Sequence, residues 1–581
     1  MKMSAVVALG SVVVLSVSAL VQVSPPASRP LSNLLPGGAL LVVEAQDFSA
    51  LVQDWDRSPE KQLWLESDNY QAFSRTRLFL RLRERQEEFA AAAGFPPDMG
   101  LLRAMAGRES ALGLYDIGNL EFLYVTRMPM ARTMESVLWR MRGEYESRES
   151  AGRTYFVRVD PESHRVVAFA VTDDHLLVAT REELLAAGLA LLVGQPGSRV
   201  NDERWYEQVV RLAGQPGEVR LVMNLEAIVR TPYFRSYWVQ RNVSGLRPYA
   251  AGVSDLYRSK EEIREERVFL RSRADSNGEP PGRDEDERTA ETALAEVLRL
   301  VPEDYGFYRG WAKPSVEETL GLLERKLLAP RGGMEAASRQ AAPEVRLRRG
   351  TVGSVADLET RIDEEPPRMV SAGFAPAELR SLLESAQPRA ILQVQSSRTL
   401  PGEVFVKQDS ALVVLASTDW DARAARSALL ASIEGLWTTS RLGARWGERR
   451  RGANPYYELD GLVPLAMAVR GPLLIVADRP ELLLAVLAKL DGSPLPAASD
   501  EAIYAAAFRH AREGDYFLRM MRLLDYPWVR NYGRAEEREP RFFSENLGSL
   551  SRVLRRVEQA SIVVQDRGSW VAQTIVYRLT R

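Results

Sequence analysis

The best match to a catalytic motif lies near the N-terminus of the chain. Ser58-Pro59-Glu60-Lys61 fits the SxxK pattern, in which a lysine activates a serine, and Ser67-Asp68-Asn69 spells the SDN element of one class of serine enzymes. In that class the elements lie on separate segments that converge in the fold, and a KTG element follows. Here five residues separate them and no KTG occurs. We interpret the match as a coincidence.

Other residues that carry enzyme chemistry are scarce. The chain has three histidines, His164, His175 and His510, and no cysteine, which excludes thiolate nucleophiles, disulfides and Cys-ligated zinc. No metal, nucleotide or hydrolase motif of fixed spacing occurs. We therefore predict no catalytic residue, no metal-binding residue and no cofactor or cofactor-binding residue.

Two acidic pairs, Asp202-Glu203 and Asp500-Glu501, stand at matching points of the sequence and could act as general acid and base. Asn201 and Ser499 precede them, and acids after such a capping residue are typical of a helix start, where the helix dipole favours negative charge. We interpret both pairs as helix starts.

One stretch has the composition of a binding surface. Residues 440–457 combine arginines with aromatic side chains, which suits an envelope protein partner or an anionic surface. A solvated loop beside a strand is the alternative. The candidate partner-binding residues are Arg441, Arg445, Trp446, Arg449, Arg450 and Arg451.

The elements that would position these residues occur twice. Residues 168–206 match residues 466–504 at 19 of 39 positions without a gap, at an offset of 298. Each copy has two apolar runs around a turn, which predicts a hairpin, and then a helix that ends near Gly194 or Gly492. Thr180 with Glu183, and Asp478 with Glu481, have capping-box spacing.

Weaker matches extend the repeat in both directions. Residues 34–36 parallel residues 300–302, residues 93–97 parallel 372–376 with ALGLY and AILQV following, and residues 232–237 parallel 527–532. Hairpins and meanders with intervening helices favour antiparallel α+β units over a doubly wound sheet. We predict an α+β fold of two tandem homologous domains, each a mainly antiparallel sheet with packed helices, after an N-terminal hydrophobic helix.

The predicted organisation follows from these matches and from two polar segments rich in proline, glycine or charge. It comprises a signal anchor or signal peptide at 1–23, a Pro-rich linker at 24–33, repeat 1 at 34–273, an acidic linker at 274–291, and repeat 2 at 292–581 with an irregular insert at about 329–370.

The N-terminus predicts the location. Lys2 precedes 21 uncharged residues, Met3 to Val23, which is long enough for a membrane anchor, although Val17-Ser18-Ala19 would also serve as a signal-peptidase site. We favour an uncleaved inner-membrane anchor with the bulk of the chain in the periplasm, because positive charge stays inside. Cleavage and secretion is the alternative.

Composition narrows the class of partner. A net charge of -2 gives no overall positive field, so we predict no nucleic-acid binding. With 45% hydrophobic and 27% charged residues, the chain has the composition of a globular protein. Its oligomeric state does not follow from these features.

The Leu-Pro entry to the strand at 34–43, the AGFPP segment and the block at 168–193 resemble an uncharacterised bacterial family of exported or membrane-anchored proteins, a domain of unknown function. The resemblance implies an extracytoplasmic location and a duplicated α+β unit, and it assigns no catalytic residue. We predict a non-enzymatic binding or assembly module of the envelope. An envelope hydrolase with a scattered site, and a carrier of an apolar ligand or lipid, are the alternatives.

Overall fold

The computed structural model describes residues 30–66, 70, 74, 77–231, 246–272, 285–328, 375–399, 406–434, 445–451, 454–460, 464–490, 502–524 and 556–580. They form two compact units. Unit 1 takes its described residues from 1–281, 521–558 and 566–581, and unit 2 from 282–520 and 559–565. The hydrophobic segment 1–23, most of the linker 24–33, the insert at 329–370 and the paired aromatic segments at 232–237 and 527–532 lie outside the described residues.

Unit 1 is built on one antiparallel sheet. Its strand order is β4-β5-β6-β7-β3-β2-β1-β8-β9-β10-β20. The strands are β1 Leu41–Ala45, β2 Ser110–Asp116, β3 Glu121–Arg127, β4 Glu146–Ser150, β5 Arg153–Val159, β6 Val166–Thr172, β7 His175–Ala179, β8 Val219–Met223, β9 Tyr249–Arg258, β10 Glu262–Arg271 and β20 Trp570–Leu579.

Unit 2 has the same strand order. It runs β14-β15-β16-β17-β13-β12-β11-β18-β19, again with antiparallel neighbours throughout. The strands are β11 Phe307–Ala312, β12 Pro388–Arg398, β13 Lys407–Ala416, β14 Arg445–Arg451, β15 Asn454–Asp460, β16 Leu465–Arg470, β17 Leu473–Ala477, β18 Tyr504–Arg509 and β19 Val557–Asp566.

Helices cover the sheets. The α-helices are α1 Phe48–Arg57, α2 Pro59–Leu65, α3 Arg77–Ala93, α4 Met99–Met105, α5 Met130–Met134, α6 Val137–Arg140, α7 Glu182–Leu192, α8 Arg204–Leu212, α9 Leu225–Arg230, α10 Glu285–Leu298, α11 Val316–Leu323, α12 Ala377–Ala386, α13 Ala422–Glu434, α14 Pro480–Ala488 and α15 His510–Leu524. Short 3-10 turns span Leu31–Leu34, Met141–Glu144 and Val200–Asp202, and a π turn spans Glu324–Leu328. The α+β class with antiparallel strands is confirmed.

Both faces of each sheet are buried. In unit 1 one face packs under α7 and α8, and the other under α3, α4 and α6 and, nearer β9, under α9. In unit 2 one face packs under α10 and α14, and the other under α11, α12 and α13. Because the strands are covered on both faces, the second part of β13, from Ala411 to Ala416, is continuously apolar, as is β16 up to Val469.

The predicted capping boxes are wrong. The residue before α7 is Arg181 and the residue before α14 is Arg479, and neither makes a side-chain cap. The Thr180 hydroxyl instead accepts from the Phe122 backbone N–H, and the Asp478 carboxylate accepts from that of Ser410, each on the neighbouring strand. A side chain that satisfies a strand N–H has the same local sequence as a helix cap, so spacing alone does not distinguish them.

Three predicted segment boundaries lie elsewhere in the structure. The linker predicted to end at residue 291 is helical from Glu285, because Leu294 and Val297 of α10 pack fully buried on the sheet. The Pro-rich linker predicted to end at residue 33 contains Leu31, which is also buried. At the far end, β20 belongs to unit 1, where it pairs with β10, although the sequence placed it in repeat 2.

Candidate functional site

A cleft of about 1030 Å³ opens in unit 1 beside α8. Its volume is at the upper end of the range for small-molecule sites in proteins. The walls come from the chain before β1, from α8, from the start of α9, and from the ends of β9 and β10. The lining residues are Gly38, Ala39, Leu40, Glu203, Arg204, Trp205, Gln208, Arg211, Leu212, Asn224, Glu226, Ala227, Ala250, Leu270, Arg271 and Ser569.

Helix α8 divides its residues between the core and the cleft. Arg204, Gln208 and Arg211 recur at helical spacing, so they share one helix face, and they line the cleft. Tyr206 and Val209 lie buried in the core of the sheet. This strongly amphipathic pattern holds α8 against the sheet while its polar face remains available to a ligand.

Glu203 fixes the wall where α8 begins. One carboxylate oxygen accepts from the Gly38 backbone N–H at 2.6 Å and the other from the Trp205 indole N–H at 2.5 Å. A Cβ at residue 37 would lie 2.4 Å from the Ser198 hydroxyl, so any larger residue there would displace the Ser198 side chain. The Glu203 carboxylate is therefore part of the scaffold of the cleft.

The opposite rim is held by the end of β10. Arg271 forms an ion pair with Asp566, and its backbone N–H donates to the Ser569 carbonyl at 2.9 Å. Within the described part of the chain, the Nε of Arg271 is a buried donor that lacks an acceptor. A donor of this kind favours a ligand that carries an acceptor.

A row of buried charges crosses the same sheet face farther along the strands. Glu44 of β1 lies opposite Arg220 of β8, which lies opposite Asp255 of β9. Arg220 is 5% exposed and Asp255 is 2% exposed. Their ion pair is bidentate, with Nε to Oδ1 at 2.8 Å and Nη2 to Oδ2 at 2.7 Å. Buried charges of this kind persist only when they are paired.

The loop before β8 completes this row. The Gly217 N–H donates to Asp255 at 3.1 Å, and Arg220 donates to the Gly214 carbonyl at 2.8 Å. Burial raises the pKa of Glu44, although a hydrogen bond from the Ser32 hydroxyl and the charge of Arg220 act in the opposite direction. Burial also raises the pKa of Tyr206, which lies beside Glu44 and hydrogen-bonds with Ser32. Because Asp255 is enclosed and both of its oxygens are engaged, the row has the geometry of a structural ion pair.

The same row can be followed into unit 2. In unit 1 it passes through the cross-strand neighbours Ala170, Leu177, Val125, Ala111, Glu44, Arg220 and Asp255. Starting from Ala468 and Ile475, the sequence equivalents of Ala170 and Leu177, the row in unit 2 continues through Val413, Leu392, Gly310, Ala505 and Val563. Glycine, alanine and valine thus replace the three charged residues.

Five of the six predicted partner-binding residues lie on β14, the edge strand among the described strands of unit 2, and not in a loop. Arg445 is exposed at the start of β14, Arg449 pairs with Glu458 at 3.1 Å, and Arg450 lies 3.7 Å from Glu448. Trp446 donates its indole N–H to the Arg426 carbonyl and packs against the core, so it anchors the strand. Arg451 ends β14, whereas Arg441 lies outside the described residues.

The apparent SxxK motif is a helix cap. The Ser58 hydroxyl accepts from the Lys61 backbone N–H at 3.2 Å at the start of α2, and the Lys61 ammonium pairs with Asp56. Pro59 occupies the first turn, where proline is favoured. Ser67 to Asn69 lie outside the described residues.

The histidines occupy unrelated positions. His164 lies in a turn with a φ of 56°, His175 begins β7 with its ring 2.7 Å from Asp174, and His510 begins α15. Burial lowers the pKa of both His175 and His510. In the described residues no group of three or more His, Asp or Glu is arranged to hold a metal ion.

The two acidic pairs are followed by different elements, a helix after the first pair and a strand after the second. The first pair lies at a helix start as predicted, because Glu203 directly precedes α8. The predicted cap is wrong, because Asn201 lies inside the 3-10 turn and donates its side-chain amide to Asn33, and neither the turn nor α8 has a side-chain cap. The second prediction is wrong, because the chain enters β18 at Tyr504, the residue matched in sequence with Tyr206 of α8. Asp500 and Glu501 lie outside the described residues. Tyr504 to Arg509 pairs with both β11 and β19, and this sheet pairing overrides any helical tendency.

Sequence reasoning did not identify either the cleft or the charged row. One sign of the charged row was visible in the sequence, since Glu44, Arg220 and Asp255 are charged residues next to apolar ones within strands of the first copy. The cleft left no trace, because its apolar residues have the same pattern as residues of a filled core.

Comparison with known proteins gives no family. Neither a protein-family model nor a curated protein matches the chain. Solved structures of TP0453 are similar to part of it. Crystal form III covers 44% of this chain and 83% of that chain at 12% identity and a TM-score of 0.22, and crystal form I covers 44% and 81% at 13% and 0.23. In the described segments, no helix is long and apolar enough to cross a membrane.

Proposed function

We propose that the protein is a non-enzymatic binding module of the bacterial envelope, built from two homologous α+β domains, and that it holds a small ligand in the unit 1 cleft. The cleft is the observation that carries this proposal. This open cleft of about 1030 Å³ beside α8 gives a small ligand a concave surface with both apolar and polar walls.

The two sheets support a tandem duplication. Nine strands follow one another in the same order in each unit, and the hairpin pairs Ala168 with Ala179 in unit 1 and Ala466 with Ala477 in unit 2. Both pairs keep the offset of 298 found in the sequence. Duplication of one unit explains this shared order and register more simply than two independent origins.

The proposed location rests on the sequence. Lys2 followed by 21 uncharged residues supports an inner-membrane anchor with both units in the periplasm. A chain without cysteine is stable there without disulfides if its cores are large, and both units bury their sheets on two faces.

The hydrolase alternative receives less support. It requires carboxylates or a serine that converge in one copy at a surface a substrate can reach. Glu44, Arg220 and Asp255 do converge in one copy only, but Asp255 is enclosed and both its oxygens are occupied. The charged row is therefore part of the structural framework of unit 1.

The assembly alternative would use β14. This strand has four arginines and one glutamate, and Arg445, Arg449 and Arg450 are exposed. Charged edge strands are also the usual protection against unwanted strand pairing. Protection of the edge therefore accounts for the exposed arginines without a partner.

The test is native mass spectrometry of the full-length protein, extracted from its own membranes in mild detergent and washed in moderate salt. We expect a small-molecule adduct on the wild type that is lost from Ala250→Trp, which fills the cleft, and retained by Arg450→Gln on β14. If no small molecule is bound and a stoichiometric protein partner is lost from Arg450→Gln, the binding site lies at β14 and the proposal fails.

A further inference from the structure

The cleft combines balanced charges, free neutral amides and an aromatic wall, from which we infer the class of its ligand: an uncharged saccharide. This inference rests on the proposed function, because it assigns a ligand to the same cleft. Five charged residues line the walls, and three of them form ion pairs with other residues of the protein. These pairs are Arg211 with Glu207, Glu226 with Arg230, and Arg271 with Asp566.

The other two charged residues of the walls, Glu203 and Arg204, are neighbours in the sequence. The Glu203 carboxylate accepts from the N–H groups of Gly38 and Trp205, and Arg204 is exposed to solvent. Counted together with their ion-pair partners, the charged residues of the walls are four arginines and four acids. A charged ligand gains little from such a surface, because attraction by one member of each pair is offset by repulsion from the other. The walls therefore favour an uncharged ligand.

Uncharged hydrogen-bonding groups in the cleft are free. In the described part of the chain, the side chains of Gln208 and Ser569 make no hydrogen bond, and Asn224 uses only its oxygen, which accepts from the Ala227 N–H. The free groups keep accessible surface, so a ligand can reach them. They come from α8, from the residue before α9 and from the residue before β20. Hydroxyl groups both donate and accept, so a hydroxyl-rich ligand suits all three side chains.

The aromatic wall is held in a fixed orientation. The Trp205 indole N–H donates to Glu203 at 2.5 Å, and its ring packs edge to face on Tyr206 at 5.6 Å. Leu212 and Leu270 add apolar surface to the same cleft. A pyranose ring has an apolar C–H face for such side chains and hydroxyls at its rim for the amides. A hydrocarbon would instead remove water from these amides without replacing its hydrogen bonds, which is unfavourable.

Calorimetric titration of the full-length protein with four trisaccharides tests the ligand class. Maltotriose, cellotriose and the N-acetylglucosamine trimer are uncharged, whereas the galacturonic acid trimer is anionic. We expect at least one uncharged trimer to bind at one site, about tenfold or more tightly than the anionic trimer, with an affinity that does not change between about 50 and 500 mM salt. Gln208→Leu should weaken this binding about tenfold, since it removes a hydrogen-bonding group and leaves the helix intact. Gln195→Leu, an exposed amide outside the cleft, is the matched control and should bind as the wild type does.

The filling variant Ala250→Trp tests the location and should abolish binding of the trimer with the circular dichroism spectrum unchanged. Binding that survives in Ala250→Trp, or an unchanged affinity in Gln208→Leu, would overturn the assignment of the saccharide to this cleft. Tighter binding of the anionic trimer, or failure of all three uncharged trimers to bind, would overturn the inferred ligand class. The adduct in native mass spectrometry decides the proposed function independently, because an adduct that is lost from Ala250→Trp retains the cleft as the binding site whatever the titrations show.

Discussion

The two units share one strand order but differ in the residues at three adjacent positions of the sheet. Where unit 1 has Glu44, Arg220 and Asp255 side by side on three strands, unit 2 has Gly310, Ala505 and Val563. In unit 1 the charged row lies near Tyr206 of α8. In unit 2, α10 packs directly on the sheet, with Leu294 and Leu298 close to Gly310.

We expect the three positions of the row to tolerate apolar replacement only together. A single apolar replacement at Arg220 leaves Asp255 buried without a counter-charge, which is the expensive intermediate. When all three residues of the row are small or apolar, as in unit 2, a helix packs closely on the sheet. We therefore expect each complete row to be more stable than the intermediates that leave one charge without its partner.

The units also differ in the connection that follows the repeated hairpin. In unit 1 the chain between Thr180 and Glu218 includes both α7 and α8 before it enters β8. In unit 2 the connection from Asp478 to Ile503 is shorter, and β18 begins directly after it. Helix α8 supplies one wall of the cleft. The longer connection is therefore what gives unit 1 its candidate binding site.

The largest expected effect is at the charged row. Arg220→Ala should destabilise unit 1 by about 3–5 kcal/mol, because it leaves the enclosed Asp255 carboxylate without its partner. Urea unfolding followed by circular dichroism measures the loss. A triple variant that carries the row of the second unit, Glu44→Gly with Arg220→Ala and Asp255→Val, should recover most of it.

If the triple variant were no more stable than Arg220→Ala alone, the charged row and the apolar row would not be interchangeable. As a control in unit 2, Ala505→Arg should be destabilising by itself, since it introduces a buried charge among apolar neighbours.

A smaller effect is expected at Gly310. A Cβ there would lie 2.8 Å from Leu294 and 3.2 Å from Leu298, so Gly310→Val should cost unit 2 about 1–3 kcal/mol as α10 is displaced. Gly447→Val in β14 is the matched control. The nearest atom to its Cβ lies at 3.8 Å, and valine favours strands, so we expect no loss. Equal effects on the urea midpoint would show that close packing of α10 is not the cause.

The side chains that replace the predicted capping boxes come next. Thr180→Val should cost about 1 kcal/mol and Asp478→Ala about 2 kcal/mol, because each leaves a buried strand N–H without its acceptor. Glu183→Ala and Glu481→Ala should have little effect on the thermal midpoint. If the glutamate variants lowered the thermal midpoint more than Thr180→Val and Asp478→Ala, the capping-box prediction would be supported after all.

The smallest effect concerns pH. Burial raises the pKa of Glu44, so the folded state binds its proton more tightly than the unfolded state, and stability falls as pH rises from the unfolded pKa through the folded one. Glu44→Gln should therefore raise the thermal midpoint at pH 7, and this gain should disappear towards pH 4. A gain that persists at pH 4 would exclude ionisation of Glu44 as its cause.

Periodicity and repetition were sufficient to predict the fold class and many elements. The hairpins of β6 with β7 and of β16 with β17 lie where the pattern placed them, and each is followed by the expected helix, α7 or α14. Register was harder. The sequence matched Ala111 with Ala390, whereas the row traced across both sheets matches it with Leu392. A shift by two positions retains the alternation of faces, so hydrophobic pattern does not detect it.

The candidate site depended on information that pattern does not contain. Arg220 and Asp255 are distant in sequence and become neighbours only through the order of β8 and β9. The arginines of β14 were visible as a cluster, but their pairing with Glu458 and Glu448 depends on strand register. The pairing of β20 with β10 crosses the predicted domain boundary and joins strands that are about 300 residues apart, which local pattern does not indicate.

That last pairing has a consequence for biosynthesis. Trp570 of β20 emerges from the ribosome long after Leu270 of β10, its partner, and the separation corresponds to a delay of about 15–60 s at usual rates of translation. Until β20 is synthesised, β10 is paired only with β9 and its other edge is an exposed strand edge. Arg264, Glu265, Glu266 and Arg267 lie in the middle of this strand, and charges so placed discourage a foreign strand from occupying the vacancy first.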